Sequence, residues 1–189
     1  MGVWFTSDLH LGHRFVAGLR GYEDAAAHDA VIADQWRSVV RKGDDVWVLG
    51  DLAASAPGHA LGILATLPGR KHLIAGNHDR CHPMHRDSHN QQRAYLDVFD
   101  SVQAFARRKI VGEEVLLSHF PYEQDRDEPR HTQYRLRNEG AWLLHGHLHS
   151  DNDGAGREIH VGVDAWGMTP VDLDTIICVM DERREALAS

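Results

Sequence analysis

The sequence predicts an α/β fold formed by a single domain that spans residues 1–189. Strand-like and helical patterns alternate over the first 75 residues, which is typical of parallel βαβ units. After residue 100, short apolar segments dominate, and their turn signals favour antiparallel strands. Hydrophobic residues make up 42% and charged residues 25% of the chain, which is ordinary for a folded domain and excludes disorder as its main state.

Three strands and two helices are expected in the first half. The strands are Gly2–Ser7, Val46–Leu49 and His72–Ala75. Apolar residues recur at helical spacing over residues 24–42, which predicts a helix that ends near Gly43. A shorter helix is expected around Leu61 and Leu64, closed by the Pro68-Gly69 pair.

The second half is expected to contribute antiparallel strands, with the clearest turn at Gly112-Glu113. The strand ranges are Val102–Ala106, Lys109–Val111, Val115–Leu117, Trp142–Leu144 and Glu158–Val163. Residues 170–183 fit either a helix or a final strand. Two polar segments, residues 80–93 and 122–139, are expected to be loops or lids beside a site. Histidines in these segments are expected to face solvent or to belong to a lid: His82, His85, His89 and His131.

Five predicted strands are each followed at once by Asp, Asn or His. The five segments are Asp8-Leu9-His10, Gly50-Asp51, Gly76-Asn77-His78-Asp79, Ser118-His119 and Gly146-His147-Leu148-His149. Ligands of open α/β sheets bind at the carboxyl ends of the strands. The glycines in these segments allow sharp turns and a close approach to a ligand. We therefore expect these side chains to converge on one site.

A ligand set of carboxylates and imidazoles without thiolates is typical of a site for manganese, iron or zinc that is not a closed structural zinc site. The candidate ligands are Asp8, His10, Asp51, Asn77, His119, His147 and His149. Seven ligands are too many for one ion and suit two ions that share a bridging carboxylate. Two such ions are a known solution for phosphate ester hydrolysis, and they make a site locally positive even in an acidic protein.

In this order, the five segments resemble the sequence blocks of the calcineurin-like metallophosphoesterases. They span residues 8–149, and the opening at residues 8–13 is also similar to small prokaryotic and phage members of that family. The resemblance implies a two-sheet α/β sandwich of mixed parallel and antiparallel strands with flanking helices. It also places a dinuclear metal site at one edge of this sandwich.

The resemblance implies a role for each candidate ligand. Asp8, His10 and His149 would hold the first ion, Asp51 would bridge both ions, and Asn77, His119 and His147 would complete the second. Two divalent cations are implied, with Mn²⁺ favoured and Fe or Zn possible. A hydroxide held between the ions would attack phosphorus in line with the leaving group, because metal coordination makes hydroxide available near neutral pH.

Three further residues are candidates for contact with substrate or for catalysis. His78 would lie on the leaving-group side, where it contacts a phosphate oxygen or protonates the departing oxygen as a general acid. Asp79 would orient the His78 imidazole, or would simply cap a turn. Asn77 and His78 would contact the substrate, and His13 would either join them or occupy an ordinary surface position.

The predicted function is hydrolysis of phosphodiester bonds in small substrates such as cyclic nucleotides, including the 2′,3′-cyclic type. One alternative is a phosphomonoesterase or protein phosphatase that uses the same site. A second is a nuclease that acts on single strands, and a third is a non-catalytic phosphoesterase-like scaffold.

Charge and cysteine content limit the partners and the compartment. Twenty basic residues against 28 acidic ones give a net charge of −8, which disfavours binding to extended duplex nucleic acid. The apolar runs fall far short of the roughly 20 residues that cross a membrane, and the first residues lack the features of an export signal. Cys81 and Cys178 form no C-x-x-C motif, which indicates free thiols and a cytoplasmic location. The oligomeric state is left open.

Overall fold

The computed structural model describes residues 1–54, 57–123 and 130–188. The helices are α1 (Arg14–Leu19), α2 (Ala25–Val39), α3 (Pro57–Thr66), α4 (Ser88–Leu96) and α5 (Leu173–Ala188). The strands are β1 (Val3–Thr6), β2 (Asp45–Val48), β3 (Arg70–Ile74), β4 (Ser101–Gln103), β5 (Phe105–Ile110), β6 (Glu113–Ser118), β7 (Trp142–His145), β8 (Gly154–Ala155), β9 (Glu158–His160) and β10 (Val171–Asp172). The strands form two five-stranded sheets, so the predicted two-sheet α/β sandwich with flanking helices is confirmed.

The first sheet has the strand order β10-β1-β2-β3-β4. Strands β1 to β4 are parallel, as expected where helices connect successive strands, and β10 pairs antiparallel with β1 at the opposite edge. The three strands predicted for the first half are confirmed. Their register places Thr6 opposite Val48 and Val48 opposite Leu73, so their carboxyl ends lie side by side.

The second sheet has the order β5-β6-β7-β9-β8 and mixes strand directions. The predicted hairpin is present, because β5 pairs antiparallel with β6. The expectation of antiparallel strands throughout this half is wrong, since β6, β7 and β9 run parallel to one another. The chain between β6 and β7 is long enough to return to the start of the sheet, which a parallel pair requires.

The segment predicted as one strand over residues 102–106 instead divides between the two sheets. Strand β4 pairs with β3 in the first sheet, whereas β5 pairs with β6 in the second. Local sequence pattern does not record this change of partner, because both parts are extended and only their tertiary neighbours differ.

The helices also differ in part from the sequence predictions. Helix α2 lies within the predicted range and begins after Asp24, whose carboxylate accepts a 2.8 Å hydrogen bond from the backbone N–H of Ala27. Helix α1 was not predicted, and α4 overlaps the segment at 80–93 that was predicted as a loop. Polar residues dominate α4, and Tyr95 is its buried anchor. Helix α5 resolves the ambiguity at residues 170–183 in favour of a helix preceded by the two-residue strand β10.

Two apolar layers hold the sheets and helices together. Along β2, Val46 and Val48 pack against α2 and α3, while Trp47 and Leu49 face the second sheet. This alternation follows from the two-residue period of a strand. The layer between the sheets includes Leu117 and Leu144, and α5 adds apolar residues to it. Both sheets therefore have fixed positions at the edge where their carboxyl ends meet.

The second predicted loop, residues 122–139, lies partly outside the described residues, at 124–129. Its described part contains a short 3-10 helix at Thr132–Tyr134. Within the described ranges, no helix combines the length and the apolar content needed to cross a membrane.

Candidate metal centre

Within each sheet, backbone hydrogen bonds join the segments that follow neighbouring strands. The N–H groups of Asp8 and His10 donate to the carbonyl groups of Gly50 and Asp51, both at 3.0 Å. In the second sheet, Gly146 donates to the carbonyl of His119 at 3.0 Å. These bonds fix the segments after β1 and β2 relative to each other, and likewise those after β6 and β7.

Several candidate ligands have left-handed backbone conformations. Their φ angles are 58° at Asp8, 46° at His10, 55° at Asp51, 73° at His147 and 49° at His149. Positive φ is uncommon outside glycine, although Asp and His adopt it more readily than most residues. Such conformations cost of the order of 1–3 kcal/mol each and cluster at functional sites. These backbone conformations direct the side chains toward one point, at a cost in the free energy of folding.

The first cluster consists of Asp8, His10 and His149, whose candidate ligand atoms all lie within 4.8 Å of one another. The Nε2 atoms of His10 and His149 are 2.9 Å apart, and His149 Nε2 lies 3.7 Å from Asp8 Oδ1. Asp8 and His10 are buried, whereas His149 is partly open to solvent. The cluster is thus accessible from the side of His149.

The second cluster consists of Asp51, His119 and His147, again with ligand atoms within 4.8 Å of one another. Asn77 extends this cluster, because its Oδ1 atom lies 3.0 Å from His119 Nε2. His119 Nδ1 lies 2.7 Å from the carbonyl oxygen of Leu49, so this nitrogen carries a proton and donates it. That bond directs Nε2 toward the cluster, as is usual for metal-bound histidines.

Asp51 connects the two clusters through a single oxygen. Its Oδ2 atom lies 3.7 Å from His10 Nε2 in the first cluster and 3.5 Å from His119 Nε2 in the second. The other oxygen, Oδ1, accepts a 2.9 Å hydrogen bond from the backbone N–H of His78. Asp51 therefore has the position that a bridging ligand needs.

The charges in this site favour bound cations. Burial, the largest single influence, would raise the pKa values of Asp8 and Asp51, but the neighbouring histidines, His119 first among them, together lower both. Burial opposes protonation of His119, yet the charge of Asp51 and its hydrogen bond raise the pKa of His119 to about 9. Burial lowers the pKa of His10 to about 3, so its ring is neutral and can offer a lone pair. The carboxylates are ionised and attract positive charge.

The donor atoms fit two divalent cations. Two nitrogen ligands about 2.1 Å from one ion at right angles are about 3 Å apart, which matches the 2.9 Å between the Nε2 atoms of His10 and His149. Two imidazole nitrogens at this distance repel each other unless a proton or a cation lies between them. Oxygen and imidazole donors without thiolates suit manganese, iron or zinc. The pair of clusters therefore forms a candidate dinuclear centre.

Gly146 is required by close packing at this centre. A Cβ atom there would overlap Ser7 Oγ and lie 2.6 Å from Asp8 Oδ2. The backbone N–H of the next residue, His147, donates to the same carboxylate at 2.9 Å. A side chain at position 146 would push the loop of His147 and His149 away from Asp8.

His78 lies at the mouth of the centre. Its Nε2 atom is 3.9 Å from Asp51 Oδ2, and 44% of its side chain is exposed. Its ring centroid is 5.5 Å from that of His10. A ligand bound at the two clusters would therefore meet the His78 imidazole from the solvent side.

Asp79 does not orient His78 as the resemblance had implied. Its Oδ2 atom accepts hydrogen bonds from the N–H groups of Asp51 at 2.9 Å and Gly76 at 2.8 Å, and its Oδ1 atom accepts one from Leu52 at 3.1 Å. Within the described contacts, its carboxylate makes none with the His78 ring. These backbone bonds occupy both oxygens, so Asp79 holds together the loops that carry the second cluster.

Burial, followed by the charge of Asp51, raises the pKa of Asp79 to about 7. The three N–H donors act in the opposite direction, because they favour the ionised carboxylate. A cation bound beside Asp51 would cancel part of the repulsion and shift Asp79 toward its ionised form.

His13 lies next to the first cluster, with its ring centroid 5.7 Å from that of His10. Phe15 follows at the start of α1, 6.4 Å from the His13 ring, and 69% of its surface is exposed. The sequence predictions named His13 but gave no role to Phe15. An exposed aromatic residue beside a polar cluster is not visible in sequence, because α1 itself was not predicted.

The histidines of the polar segments are more closely involved than expected. His82 is buried, so of the two expected positions, facing solvent or within a lid, the first is wrong. His85 Nε2 lies 3.0 Å from the carbonyl oxygen of Asn77. The His131 ring centroid is 5.8 Å from that of His147. These contacts place both polar segments against the second cluster.

Comparison with known proteins agrees with this fold and site. The family model of the calcineurin-like phosphoesterase superfamily domain matches residues 1–161, and the chain belongs to this superfamily. It is 49% identical over 181 residues to the Gene 66 protein of Mycobacterium phage L5, with 87% of each chain covered. It is 47% identical over 184 residues to the Gene 66 protein of Mycobacterium phage D29, covering 90% of this chain and 92% of the relative.

A solved structure from Aquifex aeolicus, described as a protein of unknown function, has the same fold. Its TM-score is 0.73 at 24% identity, and the match covers 94% of this chain and 98% of the other. Family membership and the two clusters of metal-ligating side chains together support a metal-dependent phosphoesterase.

Proposed function

We propose that this protein hydrolyses phosphodiester bonds in small substrates, with nucleotides and cyclic nucleotides, including the 2′,3′-cyclic type, as the substrate class. The observation that carries the proposal is the position of Asp51 Oδ2, which faces both clusters while His78 stands over it at the mouth. Two divalent cations, Mn²⁺ in this proposal, would supply charge neutralisation and an activated water molecule.

The protein side chains have distinct parts in this proposal. Asp8, His10 and His149 would hold one cation, His119, His147 and Asn77 would hold the other, and Asp51 would contribute to both sites. His78 contacts a phosphate oxygen or gives a proton to the leaving oxygen, since its Nε2 atom is on the open side of the centre. Asp79 keeps the Asp51 and Gly76 loops in place through their N–H groups.

A nucleotide suits the surface next to the centre. His13 lies beside His10, and the exposed ring of Phe15 lies next to His13. Aromatic rings stack on nucleobases with about 1–3 kcal/mol per base. A phosphate at the cations therefore leaves a base within reach of His13 and Phe15. The net charge of −8 also favours a small substrate over extended duplex nucleic acid.

A cytoplasmic location belongs to the same proposal. It is supported by Cys81 and Cys178, which are both free thiols.

A paired hydrolysis assay tests the reaction class. Mn²⁺-loaded protein is given bis(p-nitrophenyl) phosphate and, separately, p-nitrophenyl phosphate, with Asp8→Asn as the control that removes a ligand. We expect cleavage of the diester that disappears in the variant. Cleavage of the monoester alone would keep the metal centre and replace the proposed substrate class with phosphomonoesters. No cleavage of either ester by metal-loaded protein would contradict the proposed activity and favour a scaffold.

A further inference from the structure

A buried ion pair joins two distant parts of the chain behind the first cluster. The guanidinium group of Arg20, at the end of α1, donates to both oxygens of Asp164 at 2.8 and 2.6 Å. Asp164 lies in the short 3-10 helix Val163–Trp166. The side chains are only 5% and 15% exposed. Burying such an ion pair carries a large desolvation penalty, which indicates that the pair has a role beyond packing.

Arg20 also grips the backbone of the first cluster. Its Nη2 atom donates to the carbonyl oxygen of Asp8 at 2.8 Å, and its Nη1 atom reaches that of Leu9 at 3.4 Å. Asp8 has the left-handed φ of 58°. A carbonyl fixed by a guanidinium group holds this less common conformation in place, and with it the direction of the Asp8 carboxylate.

Asp164 faces His149, another ligand of the same cluster. Its Oδ2 atom lies 3.8 Å from His149 Nδ1, while His149 Nε2 faces Asp8 and His10. The distance is longer than a direct hydrogen bond, and a small rotation of the imidazole ring would close it. A carboxylate on this side favours a proton on Nδ1, which leaves the lone pair on Nε2 for a cation.

We propose that the Arg20–Asp164 pair is a positioning device for the first metal cluster, in which Asp164 selects the metal-binding tautomer of His149 and Arg20 fixes both Asp164 and the Asp8 backbone. The proposal rests on the proposed function only in requiring that the two clusters bind cations. Among the described contacts of the pair, none reaches the second cluster, so we expect its effect to be confined to the first cation.

Arg20 also contacts His28, so a substitution of Arg20 affects more than the ion pair with Asp164. Its Nη1 atom lies 3.0 Å from His28 Nε2, and His28 Nδ1 lies 3.2 Å from Asp29 Oδ1. Replacing Arg20 therefore disturbs a second buried group. The substitution Asp164→Asn keeps the shape of the side chain and replaces one carboxylate oxygen with an NH2 group. Asp164→Asn is the primary variant, and Arg20→Lys, which keeps the charge but loses the two-point geometry, is the second.

Titration of metal-free protein with Mn²⁺, followed by calorimetry, tests the proposal. Wild type is expected to bind two ions, and Asp164→Asn is expected to bind one of them 10–100-fold more weakly, the usual cost of losing the partner of a metal-bound histidine. Arg20→Lys should weaken the same ion by a smaller factor. The control is Glu113→Gln, which weakens a different, partly exposed ion pair, in which Nε and Nη2 of Arg184 donate to Glu113 Oε1 at 3.0 and 2.7 Å.

Thermal unfolding of the metal-free variants separates positioning from general stability. A lowered melting temperature in both Asp164→Asn and Glu113→Gln, with weakened Mn²⁺ binding only in Asp164→Asn, supports positioning. If wild type binds two ions and Asp164→Asn binds both with unchanged affinity, the pair is only structural and the proposal is wrong. If wild type binds no Mn²⁺, the metal assignment of the proposed function fails and this proposal fails with it.

Discussion

The two clusters of the candidate centre have similar ligands but are held in different ways. The second cluster is fixed by backbone groups close to it: Asp79 accepts three N–H groups from the Asp51 and Gly76 loops, and Leu49 accepts from His119. The first cluster depends on Arg20 and Asp164, which are 144 positions apart. Both clusters form only after distant segments have met, but the second is held by backbone groups of its own loops, whereas the first also depends on a side-chain pair that lies outside its ligands.

Asp51 belongs to both clusters, so its replacement should affect the two clusters alike. Asp51→Asn removes the charge that faces His10 and His119. We expect loss of both ions and hydrolysis at the level of the metal-free protein, the largest effect of any single change. Metal analysis beside the diester assay measures it, with the exposed Asp34→Asn as a control. Two ions retained at wild-type affinity would contradict the bridging role.

His78 separates catalysis from metal binding. Since His78 contributes no atom to either cluster, His78→Ala should keep both ions and lower turnover by roughly 10²–10⁴-fold, as is typical of general acids. The loss should shrink for esters with good leaving groups such as nitrophenolate. An equal loss across leaving groups would instead identify His78 as a phosphate-binding residue.

The pH dependence of metal binding should differ between the halves. His119 has its pKa raised to about 9, so at neutral pH a cation must displace its Nε2 proton, whereas His10, with a pKa of about 3, is already neutral. The neutral fraction of His119 rises about tenfold per pH unit below 9. We therefore expect affinity for the second ion to rise as pH increases from 6.5 to 8.5.

Calorimetry in buffers of different ionisation enthalpy measures that proton release directly. Release of about one proton per ion at the second cluster is expected at pH 7. A flat affinity across this range, without proton release, would show that His119 is already neutral before the ion binds and would contradict its raised pKa.

Phe15 should give the smallest effect, because it lies outside both clusters. If its ring stacks on a base, Phe15→Ala should raise KM for a nucleotide diester by about tenfold, within the usual range for stacking. It should leave bis(p-nitrophenyl) phosphate hydrolysis nearly unchanged. Leu19, which is also exposed on α1, provides the matched control as Leu19→Ala. Equal effects of both variants on the nucleotide would argue against a specific stacking role.

The candidate ligands could be identified in the sequence because each lies within four residues of the end of a strand, and six of them form the two clusters. The segments at Asp8, Asp51 and Asn77 are local patterns, and the parallel sheet brings their carboxyl ends together. The same reasoning failed where tertiary context decides. It could not find the Arg20–Asp164 pair, which no spacing signals, or the backbone contacts of Asp79. It also assigned antiparallel directions to β6, β7 and β9, since strand direction depends on the path of the long connections.

Anomalous diffraction at the manganese edge, from crystals grown with Mn²⁺, would locate the bound ions. We expect two peaks about 3.5–4 Å apart, one beside Asp8, His10 and His149 and one beside His119 and His147, with Asp51 Oδ2 between them. A single peak, or two peaks that do not share Asp51, would contradict a dinuclear centre built on this carboxylate.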